Sequence, residues 1–219
     1  MKKTDNIIFN KVEDKRVLSP DTFVLRLERK NVVFIPGQYL YVGIPNSNEI
    51  RQYSIYSGIY DPYLEILVRA VDKGTVSNQL LNVSVGDYLD ISEPKGFFTL
   101  HEKEISVSSY LFVATGVGIA PFRSFTRSYP ELNYKLIHGV RTVSDCFELN
   151  EYDAQKYISC SSRDNLGNYH GRVTDFLKEN EMEHTHLYIC GAHEMVKNVS
   201  DIMRKKDFDL QNIRSEIFY

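Results

Sequence analysis

Paired cysteines are missing from this chain of 219 residues. Cys146, Cys160 and Cys190 are odd in number and show no Cys-x-x-Cys spacing. That argues against a disulfide framework and against zinc or iron-sulfur ligation, and it points to a reducing compartment. Positive charge is not in excess either. The net charge is −3 and the pI is about 6.1, with no basic tail and no interleaved basic-aromatic stripe, so no nucleic-acid partner is expected. No stretch approaches the roughly 20 apolar residues of a membrane span, and Met1-Lys2-Lys3-Thr4-Asp5-Asn6 lacks the apolar run of a signal peptide. The expectation is a cytoplasmic protein. His101, His138, His170, His184, His186 and His193 fall in no zinc-like arrangement, and Gly-x-Ser-x-Gly is absent, so neither a metal site nor a nucleophile elbow is expected. Internal repeats and low-complexity tracts are absent as well.

What the chain does contain changes character half-way. The first half alternates: Thr22 to Glu28 places Phe23, Leu25 and Leu27 on one face, and further strands are expected over 39–44, 63–71 and 88–92, with Pro36-Gly37 and Asp61-Pro62 as turns. Many short strands with Gly/Pro turns suggest a barrel or sandwich. One short helix is expected at 76–81, its cap at Gly74 or Thr75. Polar residues 101–109 read as a link. Beyond them the period switches, with strands expected at 110–114, 134–139, 156–160, 186–190 and 213–217 and helices at 120–129, 172–179 and 194–205. That alternation implies a parallel sheet covered on both faces. Ligands of such sheets lie beyond the carboxyl ends of the strands, where Gly116, Ser161 and Gly191 fall. The expected division is 1–101 and 102–219.

Five segments carry chemistry. Arg51-Gln52-Tyr53-Ser54-Ile55-Tyr56-Ser57 packs a cation, two rings and two hydroxyls into a strand pattern that sets Arg51, Tyr53, Ile55 and Ser57 opposite Gln52, Ser54 and Tyr56. Gly74-Thr75-Val76-Ser77 opens a helix, whose N-terminus favours anions. Thr115-Gly116-Val117-Gly118-Ile119-Ala120-Pro121 follows a strand and opens another helix; its glycines permit close backbone approach, and Pro121 suits a first helical turn. Cys190-Gly191 ends a strand, and Glu216-Ile217-Phe218-Tyr219 puts rings at the end of the sequence, where tails are normally polar, so a packing partner is implied.

In this order and spacing the five segments resemble the ferredoxin-NADP(+) reductase family across nearly the whole chain. The resemblance implies an N-terminal antiparallel β-barrel that binds FAD, then a C-terminal α/β domain with a parallel sheet that binds NADP. The activity it implies is hydride exchange between NADP(H) and flavin, with single electrons passing to or from ferredoxin or flavodoxin. Carried over to this sequence, Arg51 would bind the flavin phosphate, with Gln52 beside it. Tyr53 would lie against the isoalloxazine, Ser54 would hydrogen-bond near N5, and Gly74, Thr75, Val76 and Ser77 would take the pyrophosphate, with Arg69 a secondary phosphate contact. Thr115, Gly116, Gly118, Ile119, Ala120 and Pro121 would meet the nicotinamide nucleotide. Ser162 and Arg163, with Arg172 as second cation, would hold the 2′-phosphate that favours NADPH over NADH; neighbouring Asp164 could instead hold the ribose hydroxyls of NADH. Ser54, Cys190 and Glu216 would frame the reacting atoms, Cys190 by shape rather than as a nucleophile. Either Phe218 or Tyr219 would cover the flavin.

Two alternatives stay open: a reductase of free flavin or ferric chelates, and a subunit that relays electrons within a complex. Residues 1–101 hold 12 Lys/Arg and 12 Asp/Glu, against 14 and 17 in 102–219. Within the mildly basic first thirty residues, Lys2, Lys3, Lys11, Lys15, Arg16, Arg26, Arg29 and Lys30 form either a docking face for an acidic electron carrier or a scattered solvated surface.

Overall fold

A computed structural model describes residues 8–47 and 49–218. The chain divides into two compact units, one running to Thr99 and regaining Ala120–Ser128, the other comprising Leu100–Ile119 and the residues from Tyr129 on. No helix among the described residues is long and apolar enough to cross a membrane.

The first unit is built from β1 (Ile8–Val17), β2 (Thr22–Glu28), β3 (Tyr39–Gly43), β4 (Arg51–Ser54), β5 (Tyr63–Arg69), the helix α1 (Thr75–Leu81), β6 (Tyr88–Ile91) and a second helix, α2 (Ala120–Ser128). Its strands run antiparallel in the order β4-β3-β6-β1-β2-β5. A single bridge from Ile55, just past β4, to Ile66 of β5 brings the two edges together, so the sheet is a nearly closed six-stranded barrel. Phe23, Leu25 and Leu27 point inward as their alternation requires, joined by Leu40, Val42, Leu64, Ile66, Val76 and Leu80. Each such side chain contributes about 1.5 to 3 kcal/mol of burial. Val24, on the opposite face of β2, is buried too. β1 carries too many charges for its strand pattern to show in sequence, and a bulge between Val12 and Asp14 interrupts its register with β2.

Strand pairing of the Arg51 to Ser57 stretch ends early. β4 stops at Ser54, and Ile55, Tyr56 and Ser57 are all buried rather than alternating. Ile55 still bridges Ile66 and packs in the barrel core, whereas Tyr56 and Ser57 are held by α2 inside the first unit. Arg123 donates to the Tyr56 carbonyl at 2.9 Å and to Glu65 at 3.1 Å, with its guanidinium 4.1 Å from the Tyr56 ring centre. Ser124 donates to the Ser57 carbonyl at 2.8 Å, and Arg127 pairs with Asp61 at 2.7 Å. Glu65 also meets Arg16 and Arg26. Burial alone would push its carboxyl up, but the arginines, Arg16 foremost, hold it below the ordinary carboxylate range.

Four of the eight N-terminal cations read as a docking face or a solvated surface make internal contacts, while Lys11 and Lys30 are exposed. Arg16 and Arg26 serve Glu65, Lys15 donates to the carbonyls of Leu81 and Val83, and Arg29 donates to those of Val32, Ile59 and Asp61. They are half-buried structural cations. Lys2 and Lys3 lie outside the described residues.

The second unit contains β7 (Ser109–Thr115), β8 (Asn133–Val140), β9 (Tyr157–Ser161), β10 (Tyr169–His170), α3 (Val173–Glu179), β11 (His186–Ala192), α4 (His193–Lys205) and β12 (Ile213–Phe218). Its sheet is parallel throughout, in the order β10-β9-β8-β7-β11-β12. Leu111, Val113, Ile137, Leu187 and Ile189 pack with Val173 and Leu177 of α3 and Val196 and Val199 of α4. From β7 the chain steps outward to β8, β9 and β10, then returns to β11 on the other side. The strand order therefore reverses between β7 and β11, where open α/β sheets leave a crevice at their carboxyl ends.

Candidate functional site

In the first unit, Arg51 to Ser54 lie on β4 against β3, with Tyr53 opposite Leu40 and Ser54 opposite Tyr39. Arg51 is exposed, its guanidinium 3.7 Å from Glu49. Gln52 donates to the Tyr41 hydroxyl at 3.0 Å. Tyr53 is half-buried, and burial pushes its phenol up to about 12, so the ring stays neutral. Ser54 is buried. Arg69 ends β5 and pairs with Asp21 at 3.0 Å. Gly74 caps α1 with no side-chain hydrogen bond, and the first turn, Thr75, Val76 and Ser77, contains no acidic residue. A flavin dinucleotide needs a surface for its flat ring, a hydrogen-bonding group beside it, and cations or N–H donors for its phosphates. Tyr53, Ser54, exposed Arg51 and the uncapped start of α1 fit those needs.

In the second unit the fold joins two segments that the sequence separates by some seventy positions. Thr115 ends β7, and Gly116 to Ile119 form a tight 3-10 turn, with Gly116 at φ 53°. α2 therefore starts one turn after the glycines rather than on them, and Ala120 and Pro121, both buried, open it. A Cβ on Gly118 would come within 2.4 Å of the Cys190 carbonyl oxygen, and one on Gly191, at φ 148°, within 2.2 Å of the Thr115 hydroxyl. Only glycines allow the turn and β11 to close on each other. The Ala192 N–H donates to the Thr115 hydroxyl at 3.4 Å.

Glu216, Cys190, Ala114, His138 and Ser159 are register partners across β12, β11, β7, β8 and β9. Partners in a pleated sheet face the same side, so two of the residues singled out in sequence, Cys190 and Glu216, sit side by side. Burial pushes the Cys190 thiol well above its usual range, and the Glu216 charge adds to this, so the thiol is a neutral, shape-filling group. Phe218 ends β12 opposite Ala192; Tyr219 lies outside the described residues.

Ser162, Arg163 and Arg172 gather elsewhere on the same carboxyl edge, past β9 and β10. Ser162 donates to the Val140 carbonyl, and the Gly171 N–H donates to that of Ser161. Arg172 caps α3, its N–H donating to Asp175 at 3.3 Å. Arg163 is exposed, and its backbone N–H donates to the Arg141 carbonyl at 2.8 Å. Exposed Arg141 thus joins the cluster. The sequence reading missed it; an arginine one position past a strand's end, at the same edge as Arg163, was the available signal. Asp164 accepts the N–H groups of Val143 at 2.8 Å and Leu166 at 3.2 Å. The Val143 N–H is the first reason its carboxyl is held below its usual range. The loop backbone occupies both its oxygens.

Residues 10–100 match the oxidoreductase FAD-binding domain and residues 112–201 the oxidoreductase NAD-binding domain. A flavodoxin/ferredoxin-NADP reductase from Buchnera aphidicola is 30% identical over 188 residues, which cover 75% of this chain and 73% of that protein. The chain belongs to the ferredoxin-NADP(+) reductase family. Within that family it also resembles the toluate 1,2-dioxygenase electron transfer component of Pseudomonas putida, 28% identical over 225 residues covering 94% of this chain. It spans 60 to 66% of the length of the first three oxygenase components it matches. The fold is that of a ferredoxin NADP+ reductase from Neisseria gonorrhoeae with bound FAD and NADP: the TM-score is 0.88 at 20% identity, and the match covers 99% of this chain and 100% of that one. The barrel-then-parallel-sheet architecture expected from sequence is thus the family's own, and the chain is an oxidoreductase with FAD-binding and pyridine-nucleotide-binding domains.

Proposed function

We propose that the chain is a ferredoxin- or flavodoxin-NADP(+) reductase that retains FAD and exchanges hydride with NADP(H). When bound, FAD supplies the conversion between one two-electron transfer and two single-electron transfers. The residues of this chain do the rest. Arg51 and the N–H groups at the start of α1 take the flavin phosphates, with Gln52 and Arg69 supporting them, and Tyr53 offers its neutral ring as a stacking surface. Ser54 hydrogen-bonds beside the ring. The Thr115 to Gly118 turn and Cys190-Gly191 shape the nicotinamide pocket, with Ile119, Ala120 and Pro121 following the turn in the chain, and Glu216 stands next to Cys190. Phe218 or Tyr219 would supply the ring that covers the flavin. Arg163, Arg172 and Arg141 form the seat for a 2′-phosphate, for which guanidinium groups are suited. The division of labour follows 1–101 for FAD and 102–219 for NADP.

The observation that carries this reading is the closure of the glycine turn on Cys190-Gly191 at the reversal point of the sheet. It is tested by purifying the protein, desalting it and releasing its chromophore, then measuring NADPH and NADH oxidation with ferredoxin, flavodoxin and a dye. Retained FAD, a preference for NADPH and turnover with either carrier are expected. Protein that stays colourless even after incubation with FAD would refute the reading.

A second reading, an electron-relay subunit working within a larger complex, is favoured by the similarity to an oxygenase electron transfer component. Dye reduction by the isolated chain separates the two, because a relay dependent on its complex would not oxidise NAD(P)H alone.

A further inference from the structure

His138 is fully buried in β8, at the row shared with Cys190 and Glu216. Its two ring nitrogens are engaged in opposite directions. Nε2 lies 2.9 Å from the Gly116 carbonyl oxygen and Nδ1 lies 2.7 Å from the Tyr157 hydroxyl. A carbonyl only accepts, so Nε2 carries the proton and donates, and Nδ1 accepts from Tyr157. Tyr157 in turn hydrogen-bonds Cys146, and its ring packs 5.3 Å from that of Tyr152. The imidazole is thereby locked in orientation and tautomer.

The carbonyl it holds belongs to the one residue of the turn at φ 53°, so the bond fixes the peptide plane from which the rest of the turn departs. Two residues on, Gly118 runs so close to β11 that a Cβ there would meet the Cys190 carbonyl. The turn is pinned at one end by a side chain from β8 and at the other by the backbone of β11.

We propose that His138 is a positioning residue for dinucleotide binding: through its Nε2–H bond to Gly116 it holds the Thr115 to Gly118 turn in the conformation that receives the nicotinamide nucleotide. This rests on the assignment of that turn to the nucleotide. His138 touches neither ligand nor reacting atoms; it acts through the backbone. Burial depresses its basicity to about 4, and the Gly116 bond and the Asp145 charge only partly oppose this. The ring is therefore neutral, with Nδ1 open to Tyr157, throughout the physiological range.

The test uses the full-length, FAD-loaded protein and three variants, with NADP+ and NAD+ affinity read by calorimetry and FAD content read from absorbance. His138→Gln places an amide N–H where Nε2–H was, His138→Asn is polar but a bond too short, and His138→Phe fills the space without a donor. The glutamine variant should bind dinucleotide within about twofold of the unaltered protein, and the asparagine and phenylalanine variants about tenfold more weakly, as loss of a partner for a buried carbonyl implies. FAD content should not change. Dinucleotide affinity within twofold of normal in either the folded asparagine or the folded phenylalanine variant, or binding by the glutamine variant as weak as theirs, would overturn the inference. If the unaltered protein binds neither dinucleotide, the assignment of the turn fails first, and this proposal with it.

Discussion

Arg163 and Arg141 sit at one backbone hydrogen bond's distance on the carboxyl edge of the second unit, both exposed. If a 2′-phosphate docks there, Arg163→Ala should raise the KM for NADPH about tenfold or more and leave that for NADH within about twofold, since a guanidinium–phosphate pair is charge-assisted. Arg141→Ala should follow the same pattern; parallel steady-state kinetics with both nucleotides check it. His138 gives a stability prediction of its own. Its folded basicity, about 4, lies below the 6.5 of an exposed imidazole. The unfolded chain therefore takes up a proton that the folded one refuses. Stability is complete above about pH 6.5 and falls by roughly 3 kcal/mol on acidification to 4. Urea midpoints between pH 4 and 8 should show this slope, and His138→Gln should remove it. The three cysteines are buried, and burial pushes each thiol above its usual range. Iodoacetamide at pH 8 should modify all three only after unfolding, as counted by mass spectrometry.

At the scale of elements, α2 makes the clearest case. It follows the glycine turn in sequence, yet its polar side chains are spent inside the first unit on Glu65, Asp61 and the carbonyls of Tyr56 and Ser57. The Glu65–Arg123 pair is almost wholly buried, at 0% and 2% side-chain exposure. Glu65→Leu would strand the Arg123 charge without its carboxylate, and breaking one side of such a pair costs about 3 to 5 kcal/mol. The midpoint of chemical denaturation, followed on the first unit, should drop accordingly. Glu65 also sets an acid limb. Its folded pKa is depressed, so its contribution is present above the unfolded carboxylate range and is lost as pH falls through that range and below. Glu65→Gln should flatten that part of the profile without touching the His138 slope at higher pH.

The whole molecule is expected to work as a stable holder of FAD served by a replaceable nucleotide. If the ring of Phe218 or Tyr219 competes with nicotinamide for the flavin face, deleting the two residues should change the kinetics with both NADPH and NADH. Unchanged kinetics for both nucleotides in the truncated protein would count against the capping role. Rates with ferredoxin, flavodoxin and dye separate an autonomous reductase from a relay subunit.

Local pattern was enough for most of the strands and helices and for the change from antiparallel to parallel sheet. Period-2 and strand–helix alternation are written in neighbouring residues, whereas glycine at Gly118 is demanded by the approach of β11. Only the tertiary structure decided what long-range pairing controls. β1 is a strand because β2 and β6 flank it, despite its charges. Tyr56 and Ser57 leave the strand with their carbonyls bonded to α2. Arg16, Arg26 and Lys15 are structural because Glu65 and the carbonyls after α1 lie within their reach. His138, seen in sequence as one of six scattered histidines, became a candidate support only when the fold set its Nε2 beneath Gly116. A hydrogen bond spanning 22 positions of chain leaves no local trace, since its partners are chosen by sheet register and not by their sequence neighbours.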